Sequence, residues 1–281
     1  MGITAMNKNL LREFCATLKT PSYVFDIDIF AKRAEQVKNC FGNDVGLCFS
    51  IKANPFLLGR LPSCFDKIEV CSPGELTICE NTKADMSTVI FSGVNKTRED
   101  VDRAVEDGVG TFTAESLMHM RLINESAISH GITAPVLIRL ANNTQFGMDE
   151  QDALSLIKKR DEFKGVKIVG IHYFTGTQKR KPAAIVKELD YVADFVSRVK
   201  DDLDFKIERI EYGTGLAVDY FSDNADDAEL ERLEAIAPSI RKTAELAELT
   251  IEMGRFFAAP CGFYFTKVID TKTNGGTNFA I

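Results

Sequence analysis

An eight-stranded parallel βα (TIM) barrel, α/β in class, is the fold this sequence predicts, and three observations predict it. Eight short runs are almost continuously apolar and rich in β-branched residues, as strands buried on both faces are. Between them lie longer segments whose apolar residues recur at helical spacing. The chain has 281 residues, and α/β barrels reach about 250 as one unit. Strands alternating with helices make a parallel sheet, and eight of them favour closure over its competitor, a doubly wound open sheet.

In order, the runs are VGLCFSI (45–51), KIEVC (67–71), TVIF (88–91), GTFT (110–113), PVLIR (135–139), KIVGIH (167–172), IERIE (207–211) and LTIE (249–252). Helical segments include SPGELTICENTKA (72–84), ESLMHMRLINESAISHG (115–131) and KELDYVADFVSRVK (187–200). Thr97, ahead of Arg98-Glu99-Asp100, reads as a helix N-cap. The barrel is expected over residues 28–255. Outside it, TPSYVFDI (20–27) reads as an extra strand, and GFYFTKVID (262–270), TKTNGG and TNFAI read as a hairpin. Residues 1–27 and 256–281 are therefore expected to be segments of an incomplete second, β-rich domain, with an exposed edge at the hairpin.

Composition narrows the function. Charge sums to −7 with no long Lys/Arg run, which argues against nucleic acid or anionic membrane as a partner. No stretch approaches the ~20 apolar residues of a membrane span, and no signal peptide is read at the N-terminus. Seven cysteines are odd in number, scattered and free of C-x-x-C, and only three histidines are present. Neither a metal site nor a disulfide framework is expected; reduced thiols in a cytoplasm are.

In such a barrel, working residues lie at the C-terminal ends of the strands. The first strand runs into Lys52, which a desolvating site would help to lose its proton and form a Schiff base. The seventh runs into Gly213-Thr214-Gly215, a turn able to present backbone N–H groups to a phosphate. The eighth ends in Glu252-Met253-Gly254-Arg255, giving a carboxylate and a charged clamp. A Schiff-base lysine beside a phosphate cradle fits a sugar-phosphate aldolase or a pyridoxal 5′-phosphate (PLP) enzyme. Glu252, if it faces a pyridine nitrogen, favours PLP.

The ordered motifs FSIKANP, EVCSPGEL, GIHYFTGTQ, EYGTGLAVDY and EMGR resemble those of the fold-type III PLP-dependent decarboxylases. That group includes the diaminopimelate, ornithine, arginine and carboxynorspermidine enzymes, and the resemblance covers roughly residues 20–281. It implies an alanine-racemase-like barrel followed by a β domain, with Lys52 carrying PLP and Glu252 facing the ring nitrogen. It implies further that Gly213, Thr214, Gly215, Gly254 and Arg255 hold the phosphate, helped by the Thr177 hydroxyl, and that Glu69 and Arg139 lie near the cofactor. The family's ring-stacking histidine is replaced by Phe174. His172, two residues earlier on the same strand face, joins Lys52 and Glu252 as a candidate catalytic residue.

The resemblance implies an amino-acid decarboxylase, a carbon–carbon lyase, acting on a basic or diamino acid such as diaminopimelate, lysine, ornithine or arginine. A homodimer is implied when the second domain is present, because that domain supplies a cysteine, an acid and a tyrosine across the interface. No segment here matches those three, so little activity is expected of the 281-residue chain alone; Cys261 reads as packing. An amino-acid racemase and a non-enzymatic PLP carrier are the alternatives. Alanine racemases place an arginine where this chain has Glu252.

Overall fold

A computed structural model of the chain describes residues 8–142, 144–220 and 225–281. Helix α1 (Lys8–Thr17), strand β1 (Ser22–Phe25) and helix α2 (Ile27–Phe41) precede the barrel. The barrel strands are β2 (Val45–Ser50), β3 (Lys67–Val70), β4 (Val89–Phe91), β5 (Thr111–Ala114), β6 (Ala134–Leu140), β7 (Val166–Phe174), β8 (Arg209–Gly213) and β9 (Glu248–Met253). They pair in parallel in chain order, and β9 returns to β2 to close the ring. Helices α3 (Pro73–Thr82), α4 (Arg98–Glu106), α5 (Leu117–Ser129), α6 (Glu150–Lys158), α7 (Pro182–Leu203) and α8 (Ala225–Ala244) occupy the intervals between β3 and β9. After the short α9 (Arg255–Ala258) come β10 (Gly262–Phe265), β11 (Thr271–Asn274) and β12 (Thr277–Ala280).

All eight apolar runs are barrel strands. Their flanks form helices where the sequence provides caps: Thr97 Oγ1 accepts the Asp100 N–H at 3.2 Å while the Asp100 carboxylate accepts the Thr97 N–H. Ser72 and Ser116 cap α3 and α5 with the first of these bonds alone, accepting the Glu75 and His119 N–H groups. On β2 the alternation is plain. Leu47 and Phe49 face outward, and Phe49 joins Phe30, Phe65 and Phe257 in a buried aromatic cluster with ring centroids 4.8–5.8 Å apart. Burying each such ring contributes about 2–3 kcal/mol and fastens α2 and α9 to the barrel wall. Cys48 and Ser50 face inward, so the interior is polar towards its C-terminal end.

The ends of the chain differ from expectation in pairing. Of run 262–270 only the end joins the hairpin with TNFAI, the Ile269 N–H donating to the Ile281 carbonyl and the Ile281 N–H to the Asp270 carbonyl, both at 2.9 Å. Residues 262–265 instead pair antiparallel with β1, register Tyr23↔Tyr264, and the two tyrosine rings meet at 4.8 Å. The hairpin is β11–β12, turned by Gly275-Gly276, both with positive φ, which suits a tight two-residue loop. Its residues are exposed on both faces. All seven cysteines are free, and no described helix is long and apolar enough to cross a membrane.

Candidate active site

Strand ends bring a set of inward side chains together. Glu69 stands beside Ser50 in the β2–β3 register, and Glu252 beside Cys48 in the β2–β9 register. His172 reaches them from β7. Lys52 lies just beyond β2, in a single 3₁₀ turn (Ile51–Ala53) rather than on the strand itself. That turn swings its side chain back over the barrel mouth.

The Lys52 ammonium donates to Glu69 Oε2 at 2.6 Å and to Glu252 Oε1 at 3.1 Å. Ser50 Oγ donates to the same Glu252 oxygen at 2.8 Å, and His172 Nε2 lies 3.0 Å from the other. Cys71 Sγ sits 3.5 Å from the lysine nitrogen and donates to Glu69 Oε1 at 3.2 Å. Both glutamates are buried, whereas the Lys52 side chain is 39% exposed, so this one cation is reachable from the mouth. Phe174 presents its ring 5.7 Å from the ammonium.

Electrostatics separate the two carboxylates. Burial opposes ionisation of Glu252, but Lys52 and His172 outweigh it and hold this carboxyl well below the usual range. Glu69 moves the other way, pushed up by burial and then by the charge on Glu252, against the pull of Lys52. One carboxylate is thus firmly ionised and its neighbour readily holds a proton. The expectation for Lys52 is corrected here. Burial does favour its neutral form, but Glu252 and Glu69 reverse the effect and raise its pKa well above the ordinary value. Glu69, His172 and Glu252 offer ligand atoms within 4.8 Å of one another, close enough for a metal ion. Lys52 already supplies a positive charge to two of them.

Beside this group, the ends of β7, β8 and β9 form an open recess of about 60 Å³ lined by Phe174, Thr177, Gly215, Gly254 and Arg255, with Glu252 at one side. A side chain at Gly215, whose φ is +60°, would place its Cβ 1.8 Å from the Gly176 carbonyl oxygen. At Gly213 a Cβ would strike the Phe174 ring at 2.5 Å. Glycine therefore lets the two loops close on each other and the phenyl ring lie flat against β8. Arg255 is exposed at the rim, and among the described residues no acidic side chain pairs with it. Thr214 is buried, and its Oγ1 accepts the Leu216 N–H at 3.3 Å, so its side chain shapes the turn and only its backbone can face the cavity. A glycine-walled recess, a free guanidinium and a hydroxyl suit a phosphate, and the adjoining lysine and ionised glutamate suit an aldehyde and a ring nitrogen. The residues fit PLP.

Of the sequence-predicted residues, Lys52, Glu69, His172, Phe174 and Glu252 converge, and Thr177, Gly215, Gly254 and Arg255 line the adjoining cavity. Arg139 stands beside His172 in the β6–β7 register but makes its bonds elsewhere. It is buried at the end of β6, where its NH1 donates to Glu115 Oε1 at 2.9 Å and its guanidinium lies 5.0 Å from the Phe146 ring. Ser50, Cys71, Glu115 and Glu211 were missed. Ser50 and Cys71 lie inside the FSIKANP and EVCSPGEL motifs, which was the available signal. Glu211 is wholly buried beneath the cluster, and burial with the charges of Glu252 and Glu69 pushes its carboxyl well above the ordinary range.

Residues 27–259 match the family described as pyridoxal-dependent decarboxylase, pyridoxal binding domain. Over 99% of its length the chain is 27% identical to the L-glutamyl-[BtrI acyl-carrier protein] decarboxylase of Niallia circulans, of which it covers 68%. It is 27% identical to the diaminopimelate decarboxylase of Haemophilus influenzae, with 93% of this chain and 67% of that one aligned. The chain thus spans about two thirds of the length of these relatives. A crystal structure of diaminopimelate decarboxylase from Methanocaldococcus jannaschii, solved with L-lysine, superposes with a TM-score of 0.84 at 26% identity, covering 95% of this chain and 68% of that one.

Proposed function

The chain belongs to the pyridoxal-dependent decarboxylases, and from that premise we propose that it holds PLP at Lys52 and decarboxylates a basic or diamino acid. The observation that carries this reading is one reachable lysine set between Glu69 and Glu252, beside a glycine-walled recess ending at Arg255. When bound, PLP supplies an aldehyde for the lysine and a ring that takes up the electron pair left as carbon dioxide departs.

The chain's own residues then divide the work. Lys52 must shed a proton before it can attack a carbonyl, and Glu69, 2.6 Å away with its carboxyl pushed up, is placed to receive it. Glu252, kept ionised, holds a proton at the ring nitrogen. His172 and Ser50 fix that carboxylate from both sides. Phe174, whose ring lies 5.7 Å from the Lys52 ammonium, would offer the cofactor ring an apolar surface but, unlike a histidine, no charge. Backbone N–H groups of Gly213, Thr214, Gly215 and Gly254, the Thr177 hydroxyl and Arg255 would hold the phosphate. Arg139, neutralised by Glu115, orders the β6 side of the mouth.

The substrate assignment is supported by the relatives' names, chiefly the diaminopimelate decarboxylases. Assignment of 1–27 and 256–281 to a second, β-rich domain is supported by the β1–β10 pairing, which draws the two segments together outside the barrel. Dimerisation through that domain belongs to the same proposal. A cytoplasmic location is supported by seven unpaired cysteines. The test is carbon dioxide release from diaminopimelate, lysine, ornithine and arginine, with absorbance near ~420 nm as the sign of lysine-bound cofactor. Absence of that band after incubation with PLP would overturn the reading.

A further inference from the structure

Gln178 follows Gly176-Thr177 beyond β7, and none of the roles above uses it. Its backbone is left-handed, with φ +61°, a conformation that a residue bearing a Cβ rarely adopts. Its side chain crosses to the loop after β8. There Oε1 accepts the Val218 N–H at 2.8 Å, and Nε2 donates to the Val218 carbonyl at 3.2 Å. A primary amide carries its donor and its acceptor side by side on separate atoms, so it engages both polar groups of one backbone residue as a neighbouring strand would.

The next residue continues the seam with its backbone. Lys179 N–H donates to the Gly215 carbonyl at 2.9 Å, and the Ala217 N–H donates to the Lys179 carbonyl at 3.1 Å. From below, Glu188 of α7 gathers both loops: it accepts from Thr175 Oγ1 at 2.6 Å, Lys179 Nζ at 2.6 Å and Tyr212 OH at 2.7 Å. The seam lies next to the point where Gly176 and Gly215 approach too closely for any side chain. Thr177 and Gly215, which line the same cavity, are each within three residues of the glutamine or its partner.

We propose that Gln178 is a positioning residue for the phosphate recess: by pairing with both backbone groups of Val218, it sets the spacing between the Gly176–Thr177 and Gly213–Gly215 turns. This rests on the PLP reading above and adds a residue to it. The two bonds to Val218 offset the cost of the left-handed backbone, which is the conformation in which the amide makes them.

The test compares binding of PLP with that of pyridoxal, which has the aldehyde and ring but no phosphate, in wild type, Gln178→Met and Gln178→Gly. Methionine keeps the length of the side chain and removes the amide. Glycine relieves the backbone and also removes it. Both variants should bind PLP roughly tenfold or more weakly, the effect of losing two hydrogen bonds, while pyridoxal binding stays within about twofold of wild type. Equal weakening of both compounds, unchanged PLP binding in Gln178→Met, or wild-type binding in Gln178→Gly would each overturn the proposal. Wild-type protein that binds neither compound would overturn the cofactor assignment instead, and the role of the clamp with it.

Discussion

His172 Nε2 lies 3.0 Å from Glu252 Oε2, so two buried side chains from β7 and β9 meet across the barrel mouth. An ionised carboxylate can only accept, so Nε2 bears the hydrogen, and the buried Nδ1 is left without a hydrogen-bond partner among the described residues. The other Glu252 oxygen is taken by Ser50 and Lys52. With both oxygens engaged the carboxylate cannot rotate, as a group aimed at a single ring atom requires.

Glu252→Gln should therefore impair turnover far more than cofactor binding. The amide keeps the volume but cannot hold a proton at the ring nitrogen, while the recess and Arg255 are untouched. A loss on the order of 10²-fold in kcat is expected, with PLP affinity changed by less than about threefold. The measurement is kcat alongside a PLP titration of the same preparation. Lost affinity with full activity at saturating PLP would show that Glu252 grips rather than tunes.

Lys52→Arg keeps a cation between Glu69 and Glu252, so the barrel should fold, yet a guanidinium cannot give up its proton to attack an aldehyde. Borohydride reduction after incubation with PLP should fix cofactor to Lys52 in the wild type and to no residue in this variant. A reduced adduct mapped to Lys96, the buried amine whose pKa burial lowers to about 8, would move the assignment to that side chain.

Much of this was legible from the residues alone. The barrel was, because each strand is apolar on its outer face and ends in a distinct cluster of polar or glycine residues. The site was legible where chemistry coincides with a strand end, as at Lys52, Glu69, His172 and Glu252. Glu211 was not, because the second of two acids within IERIE looks like a surface position until the register turns it inward beside His172. The protonation of Lys52 was not, because its sign depends on two glutamates 17 and 200 residues away. The partner of Arg139 lies 24 residues earlier, just beyond β5, and only barrel closure brings the two together. The terminal strands and their hairpin were found, but the pairing of 262–265 with β1 was not, since register between distant short strands leaves little trace in sequence.

Gly215→Ala should damage the recess more than an ordinary left-handed alanine would. Gly108 provides the control: its φ is +76°, but a Cβ there meets nothing within 4 Å. Gly108→Ala should lower stability by about 1 kcal/mol, the backbone strain alone. Gly215→Ala adds a Cβ 1.8 Å from the Gly176 oxygen and should lose at least ~2 kcal/mol, together with most PLP affinity. Denaturant unfolding of both variants, paired with PLP titration, separates strain from collision. Equal losses would mean that the two loops can move apart freely.

His119, in the first turn of α5, makes stability depend on pH. It is buried, and its Nδ1 accepts the Glu115 N–H at 3.3 Å, so protonation would break that bond. Burial, aided by the Lys96 charge and opposed by Glu115, lowers its pKa from 6.5 to about 4. The unfolded chain therefore binds a proton that the folded chain refuses, throughout the interval between those two values. Stability is full above about 6.5 and is lost as pH falls towards 4. Between pH 7 and pH 5 the histidine should account for a loss of about 2 kcal/mol, in a range where most carboxylates stay ionised. His119→Gln keeps an acceptor for the Glu115 N–H but does not titrate. Urea unfolding at pH 5, 6 and 7 should show stability falling steeply towards acid in the wild type and staying nearly level in this variant. If both lines fall in parallel, other groups carry the acid sensitivity, and His119 takes up its proton in the folded state as easily as in the unfolded one.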